Sequence, residues 1–229
     1  MDIIEAIKMR KSIRGFRPDP VSKEVLRGIL EIASNAPSAM NTQPWEFTVL
    51  TGMVLENIRL GNVEMLNSGA MPHPEHIVVG WPLESVYRRR QVELAKQIFR
   101  LMGIPREDKQ KRAGWMKRSL RYFDAPAAII ISVDRSLTEA SPLLGIGAVM
   151  QNICLAALEY GLGTCIENQG TVYPEVLRKF TGIPGSKQII ISIAIGYPDW
   201  DFPANKVESS KEPVERVTTW CGFNQNMSL

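Results

Sequence analysis

Ala127–Val133 reads A-A-I-I-I-S-V, and Gln188–Ile195 reads Q-I-I-I-S-I-A-I. Both runs are rich in β-branched residues, and neither alternates apolar with polar positions. A strand with one wet face alternates, whereas a continuous apolar run belongs to a strand covered on both faces. The two segments therefore predict the middle of a sheet with helices on either side.

Helical signals surround them. Ile3, Ile4 and Ile7 recur at helical spacing, with Asp2 placed to cap them. S-K-E-V at Ser22 reads as a second helix start, and Val25, Leu26, Ile29, Leu30 and Ala33 line one face before Pro37. Glu46–Leu50 reads as a strand, Val54–Asn67 as a helix and Ile77–Val79 as a short strand. Val86–Met102 is amphipathic, with Leu94, Ala95, Ile98, Leu101 and Met102 on the apolar side, and Gly103-Ile104-Pro105 breaks it. A second basic helix spans about Glu107–Tyr122. Leu143–Tyr160 is the central helix, stopped at Gly161, and Pro174–Phe180 is another. The tail after Pro198 has few periodic signals and reads as a segment that wraps another surface.

The 229 residues fit one domain, 1–229, with a basic helical insertion or lid at about 84–122. At 45% hydrophobic and 22% charged residues, the composition is that of an ordinary globular protein, large enough to bury a core without disulfides. Cys154, Cys165 and Cys221 are odd in number and lack C-x-x-C spacing, and His73 and His76 are the only histidines. That pattern argues against a metal site and for a reducing, cytoplasmic setting. The charged N-terminus does not read as a signal peptide. Leu143–Leu158, interrupted by Gln151 and Asn152, reads as too short and too polar to span a membrane. Net charge is +3, but Arg88–Arg121 carries 12 basic against 3 acidic residues, which leaves 15 basic and 21 acidic elsewhere. A basic segment in an acidic body fits a lid over an acidic small molecule, or two solvated helices. The small overall charge and the lack of a recognition motif argue against nucleic acid.

Three stretches carry candidate chemistry. Met9–Phe16, M-R-K-S-I-R-G-F, gathers Arg10, Lys11, Ser12 and Arg14 at a helix end. Such cations complement a helix C-terminus, and they equally suit a phosphate. Asn35–Phe47, N-A-P-S-A-M-N-T-Q-P-W-E-F, places Ser38, Asn41 and Gln43 between two stiffening prolines. Its amides satisfy a loop backbone or read the edge of a heteroaromatic ring. Gly161–Gly170 combines a helix stop, a short strand and a turn; Cys165 within it reads as a core residue rather than a nucleophile. Gly145-Ile146-Gly147 is no dinucleotide loop, because Met150 stands where a third glycine is required. His73 and His76, split by Pro74, read as loop residues.

Together these stretches resemble the FMN-dependent nitroreductase family. The resemblance rests on R-x-S-x-R-x-F at Arg10–Phe16, P-S-x-x-N-x-Q-P-W at Pro37–Trp45 and F-x-A-P at Phe123–Pro126. It continues with G-L-G-T at Gly161–Thr164, G-Y-P at Gly196–Pro198 and K-E-P at Lys211–Pro213. It implies an α+β fold with a mixed central sheet flanked by helices, in an intertwined homodimer whose C-terminal extension lies on the partner. It implies FMN at the dimer interface and NADH or NADPH as donor, in a ping-pong reduction of nitroaromatics, quinones or related electron-poor substrates. Flavin contacts would come from Arg10, Lys11, Ser12, Arg14 and Lys211, from Pro37, Ser38, Ala39, Asn41 and Gln43, and from Ile166, Glu167 and Asn168. No obligate catalytic side chain is implied; Lys11 and Arg14 would stabilise charge on reduced flavin. Arg88, Trp115 and Tyr122 are candidates for substrate contact in the lid. Lys211 replaces the usual arginine, and Glu208 stands where many relatives are basic. A specialised reductive dehalogenase or metabolite reductase of the same family, and a flavin-binding module without turnover, are the alternative readings.

Overall fold

The computed structural model describes residues 2–78, 80–137 and 141–223. Its centre is a sheet of β1 (Glu46–Thr51), β2 (Ala127–Asp134), β3 (Gly163–Glu167) and β4 (Lys187–Gly196) in the order β1-β2-β4-β3. The two apolar runs are β2 and β4, and they lie side by side in the middle as their sequences require. All three strand pairs are antiparallel. Among the described residues, the parallel component expected of a mixed sheet is confined to the isolated bridge between Ser12 and Thr164.

Side chains of β2 leave the sheet on alternate sides. Ala127, Ile129, Ile131 and Val133 enter one core with Leu26, Ile29 and Ala33 of α2 (Lys23–Ala33) and Ile146, Val149 and Ile153 of α6 (Ser141–Glu159). Ala128 and Ile130 enter a second core, which includes Leu55 and Ile58 of α3 (Gly52–Asn67), Leu120 of α5 (Lys109–Leu120) and Leu177 of α7 (Pro174–Thr181). Length and composition alone would let Pro142–Glu159 cross a membrane, contrary to the sequence reading. Here the helix serves instead as a covering layer of the first core.

The helix caps follow the sequence. Asp2 accepts the Ile4 amide at 2.7 Å and starts α1 (Ile3–Met9); Ser22 accepts the Val25 amide at 3.2 Å and starts α2. Ile3, Ile4 and Ile7 nevertheless stay more than half exposed, so much of the apolar face of α1 is left open among the described residues. α4 (Val86–Leu101) and α5 carry the basic segment, and α8 (Val214–Val217) closes the described chain. Ile77 and Val78 form no strand, and Val79 lies outside the described residues.

The two sheet edges differ. Along β3 the N-terminal stretch is laid down: the Ile13 amide donates to the Thr164 carbonyl at 2.9 Å, next to the Ser12–Thr164 bridge. This approach needs Gly163, because a Cβ there would sit 2.5 Å from Ile13 Cγ1. Along the outer edge of β1 no strand pairs among the described residues, Val49 is 40% exposed, and a mostly apolar cavity of about 720 Å³ opens between α2 and β1.

Candidate functional site

A buried asparagine holds the stretch after α1 at Arg14–Gly15. Asn205 Oδ1 accepts the amides of Arg14 at 2.6 Å and Gly15 at 3.2 Å. Its Nδ2 donates to the carbonyls of Gly15 at 2.8 Å and Asp199 at 2.7 Å. Sequence reasoning missed Asn205. Its only signal is an asparagine inside a short turn after G-Y-P, and nothing local says that its partners lie 190 positions away.

The clamp brings the two ends of the chain to one place. Arg10 and Lys11 line a cavity of about 630 Å³ together with Ile7, Gln151 of α6, and Glu208, Ser209 and Lys211 from the tail. Neither Arg10 nor Lys11 forms an ion pair among the described residues, and Lys211 Nζ reaches only Ser209 Oγ, at 3.4 Å. Four cations, Lys8, Arg10, Lys11 and Lys211, line one cavity of ligand size with Glu208 as the one carboxylate in its lining, an arrangement suited to an anion. Ser12 and Arg14 follow along β3, where Arg14 Nη1 donates to the Ser12 carbonyl at 3.3 Å. Ile166 and Glu167 of β3 thus lie on the strand that the Ser12–Ile13 stretch bridges, although none of Ser12, Arg14 and Ile166–Asn168 lines the cation cavity.

The amide loop stands apart. Gln43 donates its amide to Ser38 Oγ at 2.9 Å, and its side chain donates to the Asn41 carbonyl at 3.2 Å. Met40, Asn41 and Gln43 have φ of 51°, 58° and 43°, a left-handed series that costs non-glycine residues energy. The loop packs on α6 at Gly145, where a Cβ would meet Trp45, Ser38 and Pro44 at 3.3–3.5 Å. Pro37, Ala39, Asn41 and Gln43 face outward and do not line the cation cavity of their own chain.

A second cavity of about 790 Å³ adjoins the first and shares Glu208 and Ser209 with it. Arg89, Arg90 and Arg100 of α4 line it with Trp81 and Tyr87. Arg90 pairs with Glu212 at 2.8 Å and lies 6.0 Å from the Tyr87 ring centroid. The substrate residues predicted from sequence sit elsewhere. Arg88 donates to Gln91 Oε1 at 2.5 Å and is not in this lining. Trp115 packs against Phe123 at 5.8 Å, beside the second core. Tyr122 requires correction: it is fully buried, and its hydroxyl donates to the Gly170 carbonyl at 2.6 Å, so it offers no ring to a ligand. Backbone geometry buries it, since Tyr122, Phe123 and Asp124 all adopt positive φ and fold the chain inward.

Burial raises the Cys165 thiol to about 12, which keeps it a protonated core residue. His73 pairs with Glu175 at 2.9 Å on the surface.

The chain matches the profile of the Nitroreductase family over residues 7–197. It belongs to that family. The nitroreductase is 36% identical over 220 residues to nitrobenzene nitroreductase of Ectopseudomonas oleovorans, spanning 95% of this chain and 96% of that protein. It is 27% identical to 4-nitrobenzoate reductase of Pseudomonas putida, spanning 98% and 97% of the two chains. The fold is similar to that of an FMN and NADPH-dependent nitroreductase, NfnB of sphigopyxis sp. strain HMH, with a TM-score of 0.92 and 27% identity over 97% of this chain and 100% of that one. NfnB of Mycobacterium smegmatis, solved in complex with NADPH, gives a TM-score of 0.88 and 25% identity over 96% and 99%.

Proposed function

We propose that this nitroreductase uses FMN to reduce nitroaromatic compounds with NADPH or NADH. The observation that carries the reading is the meeting of Arg10, Lys11 and Lys211, with Lys8 beside them, around one cavity with no ion pair of their own among the described residues. Unpaired cations at that density repel one another and gain from a bound dianion such as a phosphate monoester. The adjoining β3 edge offers Ser12, Arg14 and the backbone of Ile166–Asn168 to the rest of the cofactor.

FMN held by Arg10, Lys11, Ser12, Arg14 and Lys211 would supply the hydride chemistry between nicotinamide and acceptor. The chain's part is electrostatic and steric. Lys11 and Arg14 set positive charge where reduction adds negative charge. Arg89, Arg90 and Arg100 draw the phosphates of the donor or a carboxylated aromatic into the neighbouring cavity, and Trp81 and Tyr87 give it stacking surface. No side chain needs to serve as an obligate acid or base.

The working unit in this reading is a homodimer in the cytoplasm. The uncovered face of α1 and the outward loop 37–43 support it, because both present groups that the single chain leaves unused. The loop would then reach the cofactor held by the partner.

The test is spectroscopic. Purified protein should be yellow; anaerobic stopped-flow mixing with NADPH or NADH should bleach it, and nitrobenzene or 4-nitrobenzoate should restore the colour. A flavin that stays oxidised with both donors overturns the reductase reading and leaves a flavin-binding module.

A further inference from the structure

The last residue of β3 poses a problem that the proposed reaction leaves unsolved. Glu167 is 7% exposed, and neither of its carboxylate oxygens has a hydrogen-bond partner among the described residues. Its backbone is fixed: it pairs with Ser192 across β3 and β4, and its carbonyl accepts the Ser192 hydroxyl at 2.8 Å. Residues 165 and 167 share a face of β3, so the carboxyl enters the second core beside Cys165.

Four titratable groups face it. They are Arg14 from the N-terminal stretch, Arg59 of α3, Tyr122 from the turn after α5, and Cys165 of β3 itself. None satisfies it. Arg14 Nη1 is turned to the Ser12 carbonyl. Arg59 is taken by Glu56 at 3.1 Å, by the Arg121 carbonyl at 3.1 Å and by the Ala125 carbonyl. Tyr122 donates to Gly170. An ionised carboxylate left this way is far more costly than a neutral one. Burial pushes the Glu167 carboxyl well above the usual range, and the pull of Arg14 and Arg59 does not reverse it.

Stability alone gives no reason to keep such a residue. Its folded-state pKa lies above the unfolded value of about 4.3, so its contribution is fully present below that pH. The contribution is lost as pH rises toward the folded pKa. Glutamine would fill nearly the same volume without that loss. Position supplies the missing reason, since Glu167 lies between Ile166 and Asn168, the segment read above as facing the flavin.

We propose that Glu167 is a positioning residue held as a neutral acid, and that the flavin-facing end of β3 requires the neutral form. An ionised Glu167 would set a fixed negative charge behind a ring that gains negative charge on reduction. It would also draw Arg14 and Arg59 out of their present bonds and displace the strand end. The second half of this proposal rests on the flavin reading; the first does not.

Two experiments separate them. Infrared spectra of the apoprotein, with carbon-13 glutamate and with E167Q as the subtraction, should show a protonated-carboxyl band from this residue at neutral pH. A carboxylate band in its place overturns the proposal, whether or not flavin binds. FMN titration then compares the wild type, Glu167→Gln and Glu167→Ala. Glu167→Gln should match the wild type at neutral pH, and Glu167→Ala should bind FMN more weakly than both. Where the protonated band disappears at alkaline pH, the wild-type dissociation constant should rise by about tenfold per further pH unit relative to Glu167→Gln. A band that persists leaves the Gln and Ala contrast to decide. Loss of affinity in Glu167→Gln equal to that in Glu167→Ala overturns the proposal, as do coincident pH profiles while the band vanishes. If no variant binds FMN, the cofactor reading fails with the second half, and the band still decides the first.

Discussion

The β3 edge and the β1 edge belong to one sheet and face opposite problems. At β3 the chain covers its own edge, with the 10–17 stretch bridged at Ser12–Thr164 and pinned by Asn205. Cations collect there. At β1 the strand is left bare beside an apolar cavity, with Val49 part-exposed. A closed, charged edge suits a small anionic ligand, whereas a bare apolar edge suits another stretch of polypeptide. The contrast separates a margin that the chain closes on itself from one that it leaves open, and each can be disturbed on its own.

The largest effect is expected from Asn205→Ala. Losing four bonds to buried or half-buried backbone groups should cost about 3 kcal/mol or more in urea unfolding. It should also empty the cation cavity of flavin. A stable variant that keeps its flavin would mean that the β3 edge is not held as described. Next, Arg10→Ala should weaken FMN by about 1.5–3 kcal/mol, a loss of ten- to a hundredfold, while Arg89→Ala leaves FMN retention near wild type. Equal retention in the two variants would remove the phosphate from this edge. Val49→Lys probes the other margin: a lysine on a bare edge should shift sedimentation toward monomer, with unfolding free energy within about 0.5 kcal/mol of wild type. If Val49→Lys leaves the association state untouched, the β1 edge has no partner chain. The smallest change is Lys211→Arg, which should tighten FMN severalfold by offering a fork where a point charge now stands. No gain there would place Lys211 away from the phosphate.

Much of this was legible in the sequence, because it depends on short-range pattern. The unbroken β-branched runs of β2 and β4 required cover on both faces, and both have it. The caps at Asp2 and Ser22 needed only a side chain three or fewer positions from its amide. The misses share another cause. Arg88 stays out of the cavity that Arg89 and Arg90 line, since neighbours on a helix point about 100° apart. Tyr122 was misread because three consecutive positive φ values turn it inward, and no glycine marks the turn. Asn205 and the unpaired state of Glu167 depend on partners far along the chain, which no local window contains.

The Asn205 clamp also constrains how the protein comes into being. Its bonds to Arg14 and Gly15 join residues 191 and 190 positions apart. A chain still on the ribosome can pack α1, α2 and β1, but its anion cavity has no floor until the 203–211 segment emerges. Ligand capture is therefore deferred to the end of synthesis, and any fragment stopping short of that segment should leave the ribosome with its helices formed and its cations unclaimed.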